Sequence, residues 1–147
     1  MKKRTLVMAG IVALAVMAST RVAQAQESLV VNIPFNFVAG NRTLPAGEYA
    51  VTVSGTMHTL LLVDRKDSAA SAFLGTNAIV ANEIQPESKL IFNRYGDRYF
   101  LSQVWSEGSS RGRQLLKSAR EKEMAQIAKI ETEGQVTLVA SLPRTNP

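Results

Sequence analysis

The 147-residue chain contains no cysteine. That absence excludes disulfides, thiolate metal sites and cysteine nucleophiles. It also excludes lipidation of a bacterial export signal, which needs a cysteine at the cut. Histidine is almost as scarce, with His58 standing alone; a zinc site would then have to be built mostly from carboxylates. Aromatic residues reach only 6%, thin for the two aromatic girdles of an outer-membrane barrel. The sequence carries no phosphate-binding glycine loop, no dinucleotide fingerprint and no helix-borne metalloprotease motif. No cofactor and no metal site are expected.

Long apolar runs are missing too. The longest, Leu6 to Ala18, has 13 residues, short of the roughly 20 that a spanning helix needs, and Arg21 follows soon after. Its flanks give it another meaning. Lys2, Lys3 and Arg4 precede it and Ala23-Gln24-Ala25 follows, the three parts of a secretory signal peptide. Cleavage is expected between Ala25 and Gln26, leaving one domain over residues 26–147. No twin arginine precedes the run, which points to general secretion. The expected address is the periplasm or the exterior, without a lipid anchor, and membrane contact is expected only through the signal before cleavage.

Processing changes the charge balance. The whole chain has 17 basic and 12 acidic residues, a net charge of +5. Lys2, Lys3, Arg4 and Arg21 leave with the signal, so the processed chain carries 13 basic residues against the same 12 acidic ones, a net of +1. No excess of positive charge remains to track nucleic-acid phosphates. A processed length of about 122 residues buries enough surface to form a core without disulfides.

What is present reads as strands: short apolar bursts separated by turn residues. Leu29 to Val38 is one burst, to be broken or held at an edge by Pro34. Leu44-Pro45-Ala46-Gly47 is a turn, since proline presets the first central dihedral and glycine accepts a positive φ afterwards. Glu48 to Val53 places Tyr49, Val51 and Val53 on one face, and Met57 to Val63 follows. Ala70 to Ala81 is a further burst, with Gly75 and Asn77 pointing to a bulge or a break within it, and Glu83 to Ser88 is a loop. Lys89 to Tyr95 and Arg98 to Trp105 flank a Gly96-Asp97 turn, a strong hairpin signal. After the glycine- and serine-rich stretch Glu107 to Arg113, the period changes. Leu116, Ala119, Met124, Ile127 and Ile130 share one side of a helical wheel, predicting an amphipathic helix over 115–128, with Lys117 and Glu121 as a surface pair. Val136 to Ala140 is the last strand, and 143–147 a loose tail. The fold class is mainly β: an antiparallel sandwich or small open barrel with one C-terminal helix.

Ile33-Pro34-Phe35-Asn36-Phe37, Leu44-Pro45-Ala46-Gly47-Glu48-Tyr49, the stretch from Arg94 to Trp105, and Gly112-Arg113 ahead of a charged helix combine into a recognisable pattern. Together they resemble a family of small secreted proteins abundant in acidobacterial genomes. The resemblance implies a bacterial, extracytoplasmic protein and brings no catalytic residue with it.

Candidate sites are few. Gly108-Ser109-Ser110-Arg111-Gly112-Arg113, placed just before the expected helix, is the leading one: Ser109, Ser110, Arg111 and Arg113 would present amides and positive charge to an anion. His58 could serve as a general base only beside a positioned nucleophile and an orienting acid, for which Ser54 and Asp64 are near in sequence. Tyr95, Tyr99, Phe100 and Trp105 are candidates for a sugar-stacking platform, although alternation sends Tyr99 and Phe100 to opposite faces. The expected function is a non-catalytic binding or envelope-associated structural module whose partner is a protein or envelope component. A small extracytoplasmic hydrolase and an eight-stranded outer-membrane barrel are the alternatives.

Overall fold

The structure, a computed structural model, describes residues 27–128 and 133–143. The expected cleavage point between Ala25 and Gln26, the stripe residue Ile130 and most of the expected loose tail lie outside them. The elements run β1 (Glu27–Ile33), β2 (Phe37–Ala39), β3 (Arg42–Leu44), β4 (Gly47–Ser54), β5 (Thr59–Asp64), β6 (Ser71–Val80), β7 (Lys89–Tyr95), β8 (Arg98–Trp105), β9 (Arg111–Leu115), α1 (Ala119–Ala128) and β10 (Glu133–Val139). The protein is mainly β, as its turn-punctuated pattern predicts.

Among the described residues ten strands form one sheet. Its main antiparallel path is β1-β4-β5-β6-β9-β8-β7-β10. Strand β6 turns the corner: residues 71–75 pair with β5 and residues 76–80 with β9. The two ends of the path then meet, because Val30 and Ser141 form an antiparallel bridge with N–H···O distances of 2.7 and 2.8 Å. The result is a small open barrel laced at one point. The short hairpin β2–β3 adds to the outer edge of β8 through the one parallel pairing, Val38 with Phe100.

The alternation of each strand fills the interior. Leu29, Val31 and Ile33 of β1, Tyr49 and Val51 of β4, Leu60 and Leu62 of β5, and Leu90 and Phe92 of β7 are all buried in one core. Phe37 meets the Tyr49 and Phe92 rings edge-on at centroid distances of 5.2 and 5.5 Å. A bulge adds to this filling. The β7–β8 register shifts between Ile91 and Phe92, so Leu101 and Val104, three residues apart, both reach the core where strict alternation would separate them. Among the described residues no helix is long and apolar enough to cross a membrane.

Several expectations need correction. Pro34 does break the first burst, separating β1 from β2. Gly47 opens β4 without a positive φ, and strand β6 is continuous through Gly75 and Asn77, which mark a change of partner and neither a bulge nor a break. The helix is shorter than 115–128: Leu115 ends β9 with its side chain in the core, and α1 starts at Ala119. Its buried face also differs. Leu116 and Ile127 are exposed, whereas Glu121 is buried and Met124 and Ala125 pack on a second cluster made by Val38, Tyr95 and Phe100 on the outside of the barrel. Lys117 precedes the helix, and Glu121 bonds to the sheet, accepting from Asn93 Nδ2 at 2.9 Å and Tyr95 Oη at 3.3 Å.

Candidate functional site

One end of the barrel is an open mouth. The strands above leave a cavity of about 570 Å³ lined by residues of β4, β5's leading turn, β6, β8 and β9, among them Val53, His58, Val80, Val104, Arg111 and Arg113. Its construction follows from strand parity. On β6, Ala72, Leu74 and Thr76 face the core, and the same face continues outward to Ala78 and Val80, which are exposed. On β9, the face that buries Leu115 continues to Arg113 and Arg111. The registers set these residues side by side: Arg113 lies between Ala78 and Val104, and Arg111 is opposite Val80.

Arg113 is held in place. Its Nη1 lies 3.0 Å from His58 Nδ1 and its Nη2 donates to the Gly55 carbonyl at 3.2 Å. A guanidinium has no acceptor, so the imidazole Nδ1 accepts. His58 is itself fixed in an unusual backbone state, the left-handed region with φ of 52°, which costs a non-glycine residue about 1–2 kcal/mol. Two donors hold its carbonyl there, the Thr76 amide at 2.8 Å and the Thr76 hydroxyl at 3.0 Å. Strained residues held this way cluster at functional positions. Arg111 differs: among the described residues its guanidinium has neither a hydrogen bond nor an ion pair.

The anion site expected at a helix start takes a different form. Residues 111–115 are strand, so none of Ser109, Ser110, Arg111 or Arg113 is at the N-terminus of α1. Three amides of the loop are also occupied: Gly108 N donates to Gln85 O, Ser109 N to Ser106 O, and Arg111 N to Ser109 Oγ. Ser109, Arg111 and Arg113 nevertheless line the mouth, while the Ser110 carbonyl accepts from Ala81 N. Side-chain charge remains where amides do not. Among the described residues no aspartate or glutamate lines the cavity.

The other candidates separate. Ser54 Oγ accepts from Met57 N within its own turn at 3.3 Å. Asp64 pairs with Tyr49 at the far end of β5, and its Oδ1 accepts from Lys66 N at 2.7 Å. His58 therefore contacts an arginine and not an acid–nucleophile pair. The aromatic platform does not form, since Tyr95, Phe100 and Trp105 are buried and Tyr99 stacks on Phe35 at 3.9 Å. Among the described residues no group of three or more histidines and carboxylates could hold a metal. A smaller concavity of about 190 Å³ lies between Asn36, Thr43, Arg98 and Arg120, where Asp97 offsets one of the two arginine charges.

Sequence reasoning missed the walls. Ala78 and Val80 share parity with the buried Ala72, a signal that points to an uncovered inner face once the 111–115 segment is taken as strand. Gly112 stands in the candidate stretch, but its packing role is not visible in the sequence; a side chain there would meet the Trp105 ring at 2.6 Å, so glycine lets the indole lie against the strand that lines the mouth. No protein-family model matches the chain, and no similar curated protein or solved structure was found.

Proposed function

We propose that the protein is an exported, non-catalytic binding domain whose barrel mouth takes a small anion. The observation that carries this reading is the convergence of Arg111, Arg113 and His58 on one concavity with no carboxylate among them. Two guanidiniums at a partly enclosed site favour carboxylate or phosphate groups, because their planar donors match those oxygens. The bonds from Arg113 to His58 and Gly55 preorganise one of them, so less side-chain freedom is lost on binding. The volume falls within the range of small-molecule pockets, about 300–1,000 Å³.

The hydrolase alternative is not favoured by the separation of His58 from Asp64, since a base needs its orienting partner within hydrogen-bond reach. An outer-membrane barrel has its apolar residues outside and its polar ones inside; here Leu29, Tyr49, Leu60 and Phe92 are inside. The extracytoplasmic address rests on the N-terminal pattern, and in place of the expected protein or envelope component the proposed ligand is a small anion, free or borne by the envelope. Two measurements test the proposal. Intact mass of the protein recovered from an exporting host should correspond to a chain starting at Gln26. Calorimetric titration with benzoate should show saturable binding that the Arg111→Gln, Arg113→Gln double variant lowers at least tenfold; undiminished binding in that variant would refute the site.

A further inference from the structure

We infer that the anion taken by this mouth carries an apolar tail, as a medium-chain monocarboxylate does; this rests on the anion-binding reading and narrows it. The basis is the wall opposite and beside the arginines. Val80 is 73% exposed although it lies on the face of β6 that buries Ala72 and Thr76 deeper in the barrel. A valine and an alanine left uncovered on a concave face are poorly placed in water, and burying them against a ligand is favourable. Below them Val53 packs against the core and Val104 belongs to it, so the apolar surface is continuous from rim to floor. Each arginine sits in a cross-strand row with an apolar neighbour: Arg113 with Ala78 and Val104, Arg111 with Val80.

A bare inorganic anion would satisfy the guanidiniums and leave most of the 570 Å³ and all of this wall unused. A wholly apolar molecule would fill the volume and leave Arg111 unmatched. An amphiphile with one negative head satisfies both halves, its head at Arg111 and Arg113 on the rim and its tail against Val80, Ala78, Val53 and Val104. One head is enough, because Arg113 is already committed in part to His58 and Gly55.

The test is a set of titrations of the processed protein with acetate, octanoate, 1-octanol and inorganic phosphate. Calorimetry gives the affinities, and fluorescence of the single tryptophan, Trp105, which abuts Gly112 of the cavity lining, gives an independent reading. Octanoate should bind at least tenfold tighter than any of the other three, and shortening the chain should weaken it by about fourfold per methylene. Arg111→Gln should weaken octanoate at least fivefold and leave octanol unchanged, and Val80→Asn should weaken octanoate but not acetate. Both positions are exposed, and unchanged circular dichroism and Tm would show that each variant folds. If octanoate, acetate and phosphate bind equally, the tail inference is wrong and the anion reading stands. If octanol matches octanoate and ignores Arg111→Gln, or if no anion binds, the anion reading falls and this inference with it.

Discussion

Tyr49 anchors a corner of the barrel with a single hydroxyl. It is fully buried, and its Oη donates to the Pro45 carbonyl at 2.6 Å, tying β4 to the proline turn ahead of it. Burial foremost, and then the negative charges of Asp64 and Asp67, push its phenol up to about 12. The folded state thus holds this proton more tightly than the unfolded chain, whose tyrosine ionises near pH 10. The linked stability is complete below pH 10 and is lost as pH rises toward 12. Urea unfolding across that window should show the decline, and Tyr49→Phe should flatten it while costing about 1 kcal/mol at neutral pH. His58 makes the opposite case, a residue whose backbone opposes its position. Replacing it with glycine removes the cost of the left-handed φ but gives up the Arg113 contact and frees the unfolded backbone, so Tm should change little, whereas His58→Val keeps the strain, loses the contact and should destabilise the fold; thermal unfolding distinguishes the two.

Among the elements, the β7–β8 hairpin was the most legible, because Gly96-Asp97 between two apolar-rich segments admits few other readings. The helix was least legible. Its sequence has a weak stripe, and two of the apolar residues assigned to it, Leu116 and Ile127, point to solvent. The face that docks is centred on Glu121, a carboxylate that only the sheet's own Asn93 and Tyr95 make acceptable in a buried place. No local pattern announces a partner 26 to 28 residues away. Glu121→Ala should therefore cost about 2–3 kcal/mol, with hydrogen exchange rising first in residues 119–128. Strand β9 was hidden for a related reason: its Arg-Gly-Arg-Gln start is polar because its inner face is the mouth and not the core. Gly112→Ala tests its packing. The added methyl would overlap the Trp105 ring, and the expected result is a loss of about 1–3 kcal/mol with a shifted Trp105 emission.

At the scale of the molecule, closure and function are joined. A sheet of this size leaves open edges unless its ends meet, and the Val30–Ser141 bridge brings them together. Curling the sheet turns one face inward, fills it with Tyr49, Phe92 and their neighbours, and leaves at one end the part of β6 and β9 that the core does not cover. The residues of the mouth were partly visible in the sequence as the Ser109–Arg113 cluster and the lone His58. Their meeting was not, because it depends on the register of β6 with β9 and of β4 with β5, which no single strand encodes. The most direct test of the account is amide chemical-shift mapping of the processed protein during titration with octanoate. The account predicts saturable shifts confined to Val53–His58, Ala78–Val80, Val104–Ser106 and Arg111–Arg113, with the opposite end of the barrel around Asp64 unmoved. Shifts spread evenly over the surface, or centred away from these residues, would contradict it.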